Sequence, residues 1–398
     1  MLKKLVFILG IVLTSIISYS EEKLLLLEKN NLIQIKEKIE EKDSFVMPAF
    51  NELLLNAEEA LKEERITVVD KNIIPPSKDK HDYMSFGPYW WPNPDTTDGY
   101  PYIQKDGKVN PASKTDSDSP RLAKLVRQVE TLSLAYYYTS DIKYATHAVK
   151  LIKTWFLDKD TKMNPHLRYG QAIPGKVDGR AIGIIDSRHF IRVLDSITLL
   201  ENSKLMTQKE LENIRKWIED FNLWLIKGEY SYEESNWPNN HGTFYDYQVA
   251  GYHIYSNHLE EAKEIVKKSQ YIRLASHIGS KGQNFHELER TRPLHYSIFD
   301  LEALVALALY GDKFEEIDFW NFTANKASLK NAIDYIVKYK NNPDMWLVKN
   351  EKVKFDSFVA ILMIASQKYN TDEYKSEIEK LWKENPTNLN YLKWNINM

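Results

Sequence analysis

Apolar side chains recur three and four positions apart along most of this chain, a spacing that gathers them on one face of an α-helix rather than on one face of a strand. In the segment 50–65, Leu53, Leu54, Ala57 and Leu61 share a face. A stronger series, Leu122, Leu125, Val126, Val129, Leu132, Leu134 and Ala135, follows Ser119-Pro120, which predicts Ser119 as N-cap and Pro120 as first helical residue. The same spacing predicts helices over 142–156, 187–200, 207–226, 243–256, 260–278, 293–310, 326–339, 356–368 and 372–384. Gly 14 and Pro 15 in 398 residues are few, which favours long helices over a many-turned β-chain. No strand-rich stretch stands out, so the expected fold is all-α. Helix–turn–helix units succeed one another from about 119 to 384 without a repeat signature, as in a solenoid or a closed α/α toroid.

The first twenty residues are read apart from the fold. Lys3 and Lys4, the apolar run 5–17 and Ser18-Tyr19-Ser20 have the form of a secretory signal, with cleavage expected before Glu21. Residues 21–398 are then one domain. No later segment reads as apolar for long enough to cross a bilayer, so the mature chain is expected to be soluble and exported, to the periplasm or beyond. Removing Lys3 and Lys4 from 53 basic residues leaves 51 against 56 acidic ones, which argues against a general nucleic-acid binder. The absence of cysteine excludes disulfides, thiolate metal sites and a cysteine nucleophile.

Four long polar loops interrupt the helices at 66–118, 158–186, 227–242 and 279–292, and loops of this length usually carry function. The first contains Gly87-Pro88-Tyr89-Trp90-Trp91-Pro92-Asn93-Pro94, a stiff stretch whose rings suit either sugar faces or anchorage to the core. The second holds Asn164-Pro165-His166-Leu167 and Gln171, then Gly179-Arg180 and Asp186, a cavity wall or a plain connector. The third, Asn239-Asn240-His241, opens a helix on which His241, Tyr245 and Gln248 share a face, better suited to a cleft than to a core. In the fourth, Arg290 and Arg292 flank a helix start at Pro293, with Tyr296 in its first turns. An arginine beside a helix N-terminus suits a carboxylate. His286, Glu287, Glu289 and His295 have no HExxH spacing and no cysteine beside them, which disfavours a metal.

These motifs, in this order between about 82 and 310, resemble the alginate lyase superfamily, polysaccharide lyases on an incomplete α/α toroid. The tryptophan-rich loop and the long second loop are more similar to the broad alginate and glucuronan lyase branch than to the classical periplasmic mannuronate lyases. The resemblance implies β-elimination on a 4-linked polyuronate, alginate first and glucuronan second, with neither cofactor nor metal. Asn240 and Arg290 would neutralise the carboxylate, His241 would assist, and Tyr296 would take the C5 proton and return it to the leaving oxygen. For guluronate units, whose departing groups lie on opposite ring sides, His241 would be the base and Tyr296 the acid. Trp90, Trp91, His166, Gln171, Arg180, Tyr245 and Arg292 are the candidates for holding the sugar chain. The family pattern sets its arginine seven positions before its tyrosine, whereas Arg290 stands six before Tyr296 and Arg292 four. A phenol of pKa ~10 is a weak base, and Arg290 with His241 nearby is expected to favour the phenolate. Two other readings are a glycoside hydrolase recruiting Asp186, Glu287 or Glu289 as its carboxylate pair, and a non-catalytic binder of acidic glycans.

Overall fold

The computed structural model describes residues 24–396 except 116 and 350; the signal segment 1–20 and its cleavage point lie outside the described residues. Helices α1 (Lys29–Glu40) and α2 (Met47–Ala60) lead into a loop with strands β1 (Met84–Phe86), β2 (Trp90–Trp91) and β3 (Ile103–Gln104). Then come α3 (Asp118–Thr139), α4 (Ile142–Phe156), strand β4 (Tyr169–Ala172), a 3-10 segment Ala181–His189, α5 (Phe190–Leu200) and α6 (Gln208–Lys227). Helices α7 (Ser231–Ser235), α8 (Asn240–Tyr255), α9 (Leu259–Ser269), α10 (Phe285–Leu288) and α11 (Pro293–Gly311) follow. The last are α12 (Leu329–Asn341), α13 (Asp356–Tyr369) and α14 (Asp372–Glu384).

Short local signals start these helices. Thr207 and Glu210 form a capping box at α6, while Asp141, Asn239, Ser328 and Thr371 accept backbone N–H bonds at α4, α8, α12 and α14. Packing joins α2 to α3, α3 to α4 and α5, α5 and α6 to α8, α8 to α9 and α11, and α11 to α12 and α13. A final 3-10 turn, Leu389–Leu392, packs on both α2 and α13 and so draws the last helices back to the first. The result is an α/α toroid. Phe156, Phe190, Trp217 and Phe221 interlock in its core, Trp217 and Phe221 stacked with ring centroids 5.3 Å apart.

Several element boundaries depart from the sequence reading. Helix α3 starts at Asp118 with Ser117 as N-cap, so Ser119 and Pro120 lie inside its first turn, where proline removes no helical hydrogen bond. Asp118 is wholly buried there, 3.0 Å from the Lys71 ammonium. The expected helix 187–200 is α only from Phe190, and 260–278 changes after Ser269 into a π-turn, Gln270–Ala275. Helix α1 escaped notice because its buried positions, Leu32 and Ile35 among them, are sparse among charged residues. Pro293–Gly311 is long and apolar enough to cross a membrane by composition, yet most of it is buried within the toroid.

The two ends of the chain are tied in by side chains. Asp195 on α5 accepts the backbone N–H groups of Leu25, Leu26 and Leu27 at 2.5, 2.9 and 3.1 Å. Asn31 Oδ1 accepts the amides of Asn395 and Gln367 at 2.9 and 2.7 Å, and Lys38 donates to the Ile396 carbonyl at 2.6 Å. Asp195→Ala leaves three N–H groups without their acceptor. It is expected to lower stability by about 2–3 kcal/mol and to strip hydrogen-exchange protection from Leu25–Leu27. Unchanged protection there would show that the carboxylate does not hold the segment.

Candidate active site

Pairing of β1 with β4 in parallel, Met84 opposite Tyr169, brings the first two polar loops together at one end of the toroid. There they meet the start of α8 and the start of α11 around a cleft of about 1060 Å³. Tyr89, Trp90, Gln171, Arg180, Asn240, His241, Arg290 and Tyr296 all line it, so each of the four loops contributes.

The α11 side presents Tyr296, whose Oη is 2.6 Å from that of Tyr89. Arg290 lies over the Tyr296 ring, 3.9 Å from its centroid, and 3.5 Å from Asp106. The expected bias towards phenolate is not what this arrangement produces. Burial and the Tyr89 hydrogen bond push the phenol up, well above its ordinary value, and outweigh the opposing pull of Arg290. Nor is the α11 N-terminus open to an anion, because Glu351 accepts the N–H groups of Leu294 and His295 at 3.1 and 3.0 Å. Of the two arginines, Arg290 lines the cleft. Arg292 donates to the Lys352 carbonyl at 3.0 Å and lines an adjacent groove of about 510 Å³.

The α8 side presents Asn240 and His241. Glu287 Oε1 accepts both the backbone N–H and the Nδ2 of Asn240, at 2.8 and 2.7 Å. His241 has its N–H on Asn239 Oδ1 at 3.0 Å and its Nδ1 2.9 Å from Glu234 Oε1. Arg273, in the π-turn after α9, binds Asp246 at 2.7 Å and the carbonyls of Ser235 and Trp237 at 2.5 and 3.2 Å. This closeness needs Gly242, where a Cβ would sit 2.2 Å from the Trp237 carbonyl oxygen and 2.4 Å from the guanidinium. The stripe expected below His241 turns inward. Tyr245 is buried with its hydroxyl on the Leu225 carbonyl at 2.9 Å, and Gln248 accepts from Ser187 at 2.6 Å. With α6, α9 and α11 all packed on α8, those polar groups are satisfied inside the fold.

The remaining wall is built on Asp186, which accepts from Tyr83, Ser85 and Gln171 at 3.0, 2.7 and 3.2 Å. Gln171 sits at φ +49°, strained for a side-chain-bearing residue, and receives Arg180 at both its backbone and side-chain oxygens. Burial lowers the Arg180 guanidinium to about 10, with Asp186 opposing. Lys176 and Arg180 lie over the Trp90 ring, 4.7 and 5.8 Å from its centroid. Trp91 is not in the cleft lining; its indole donates to the Lys108 carbonyl at 2.8 Å. His166 also lies outside it, 3.0 Å from Asp82. Burial would raise Asp82, but bonds from His166, Asn164 and Ser77 hold it well below the usual carboxylate range.

Arg188, its guanidinium near the rings of Phe244 and Phe299, and Glu302 separate the cleft from a second cavity of about 380 Å³ inside the toroid. Sequence reasoning passed over Tyr89, Glu234, Arg188 and Glu302. Tyr89 stood in the aromatic loop already singled out, whereas no spacing rule marks the others. Among the described residues no group of His, Asp and Glu converges as a metal cage would. Glu287 is fully buried behind Asn240 and Glu289 is exposed, so neither joins Asp186, which lines the cleft with three donors on its carboxylate, as a pair across it. A phenol, an imidazole, an amide and a guanidinium around one space can exchange protons and receive a carboxylate.

A family profile described as alginate lyase matches residues 67–346. An alginate lyase from Bacteroides ovatus is 34% identical over 94% of this chain and 99% of its own, with a TM-score of 0.87. Alginate lyase A1-III from Sphingomonas species A1 has the same fold at 13% identity and TM-score 0.53, over 87% of this chain and 95% of its own. A histidine-to-alanine variant of A1-III complexed with a tetrasaccharide superposes at 14% identity and TM-score 0.56, over 85% of this chain and 87% of its own. A comparison with curated proteins gives no match.

Proposed function

This chain belongs to the alginate lyase family and is a polysaccharide lyase, and from that premise we propose that it cleaves alginate first and glucuronan second by β-elimination with its own side chains alone. The observation that carries this reading is the meeting of Asn240, His241, Arg290 and Tyr296 around one cleft, the first two from the start of α8, Tyr296 from the first turns of α11 and Arg290 from the loop just before it. A uronate C5 proton becomes acidic enough to remove only when the adjacent carboxylate is neutralised. Arg290 brings a positive charge, and Asn240 brings an amide held by Glu287 with one hydrogen left to donate. These two groups supply the neutralisation, so the reading calls for no metal or cofactor. Tyr296, kept as a phenol by burial and Tyr89, is ready to protonate the departing C4 oxygen. In mannuronate or glucuronate it lies on the side of both departing groups; there its own proton goes to solvent first, the phenolate takes the C5 proton, and the same proton then passes to the C4 oxygen as the C4–O bond breaks. Trp90, Gln171 and Arg180 form a wall suited to the sugar faces and carboxylates of neighbouring units. The signal-like segment 1–20 supports export of the mature enzyme.

The test is ultraviolet absorbance of the mature chain incubated with polymannuronate, polyguluronate or glucuronan, chelator present throughout. A rise on alginate blocks is expected, from the conjugated double bond that elimination alone creates. Reducing ends appearing without that absorbance would convict a hydrolase, and persistent binding with no cleavage would make the cleft a binding site only.

A further inference from the structure

Glu234 sits seven residues before His241 on the short helix α7, with its side chain 1% exposed. Its Oε1 lies 2.9 Å from the His241 Nδ1, and its Oε2 has no hydrogen-bond partner among the described residues. Among the described residues the imidazole is therefore the one side chain hydrogen-bonded to this carboxylate. Nothing in the family resemblance or the cleft-lining set called for a buried acid at this place, since Glu234 does not line the cleft.

The backbone around Glu234 is built to keep it there. The carbonyls on either side of the bend, Ser235 and Trp237, are both held by Arg273, which Asp246 anchors to α8. Burial pushes the Glu234 carboxyl up, while His241 and Arg273 pull it down and Glu233 opposes them. On the other side, Asn239 Oδ1 fixes the His241 backbone at 3.0 Å and the Trp237 ring lies 6.3 Å from the imidazole. Burial raises this carboxyl on balance, so its charge state decides the tautomer: ionised, it can only accept and the Nδ1 facing it carries the proton, whereas protonated it would donate and leave the proton on Nε2. With Glu234 ionised, the opposite nitrogen, Nε2, offers a lone pair.

We propose that Glu234 is a positioning residue that locks His241 in its Nδ1–H tautomer, so that Nε2 is the acceptor of the C5 proton on guluronate-type units. The proposal rests on the lyase reading above and refines it. In this step the C5–H bond breaks and its proton forms the Nε2–H bond. The freed electron pair becomes the C4=C5 double bond as the C4–O bond breaks, and the leaving oxygen takes the Tyr296 phenolic proton. The imidazolium left beside Glu234 gives its proton to solvent, and Tyr296 regains one from solvent, which restores both groups. On mannuronate-type units Tyr296 faces both departing groups, and the tautomer of His241 matters less.

Two measurements test this. Nitrogen-15 NMR of the mature wild-type chain at neutral pH, with the His241 signals identified from His241→Gln, is expected to show Nδ1 protonated and Nε2 bare. That spectrum needs no substrate, so it decides on Glu234 whichever polyuronate the enzyme cleaves. An Nε2–H tautomer would overturn the proposal. In Glu234→Gln, which keeps the shape and removes the charge, kcat on polyguluronate is expected to fall by about 10²-fold with KM little changed. On polymannuronate the fall should stay within about 5-fold, well below the range of general-base loss. Equal losses on both polymers would reduce Glu234 to a structural part and sink its role in choosing the proton acceptor.

Discussion

Tyr296→Phe is expected to lower kcat on every polyuronate the enzyme cleaves by about 10³-fold, within the usual range for loss of a positioned acid or base. The ring, its burial and the Arg290 stack all survive the change, so KM and thermal stability should move little. What disappears is one oxygen, the partner of Tyr89 at 2.6 Å. The loss should fall on kcat because the phenolic proton is needed only as the C4–O bond breaks. Steady-state kinetics by double-bond absorbance measures it. Turnover within a few-fold of wild type would remove Tyr296 from the chemistry and leave the cleft in need of another acid.

The second large effect is expected just behind the cleft wall, at a residue that does not line it. Arg273 is 4% exposed, and Arg273→Met leaves Asp246 as a lone charge in the interior. Breaking a buried pair in this way costs about 3–5 kcal/mol. Urea denaturation should show the midpoint falling accordingly. The double variant Arg273→Met with Asp246→Leu removes the stranded charge, so most of the stability should return. Turnover should not, because the carbonyls of Ser235 and Trp237 still lack their donor and the bend carrying Glu234 is no longer fixed. Recovery of turnover along with stability would show that the bend holds without the guanidinium.

The toroid was legible in the sequence because helix periodicity is a local signal that survives in each helix by itself. Boundaries blurred where a side chain's partner is remote. Asp118 opens α3 with its carboxylate on Lys71 and the Met84 N–H, and neither is visible from the Ser-Pro pair. The four site motifs were legible as motifs, but the side chain of each that reaches the cleft was not. Trp90 faces it and Trp91 does not; Arg290 does and Arg292 does not. Each pair is settled by one tertiary contact, the Lys108 carbonyl for Trp91 and the Lys352 carbonyl for Arg292. The Tyr296 phenol ran against expectation because the fold buries it and, beyond that, a tyrosine 207 residues away reaches its hydroxyl.

The stitching of the chain's two ends bears on how the enzyme is made. Asn31 is bonded to Asn395 across 364 residues of sequence, and Lys38 to Ile396 across 358. These links have no partner until residues 395 and 396 have been made. A nascent chain can therefore coil its successive hairpins as they emerge, yet it cannot make this clasp before residues 395 and 396 are released. Truncation at the carboxyl end should then act like an unfastened belt, loosening α1 and α2 long before it disturbs the cleft half a chain away.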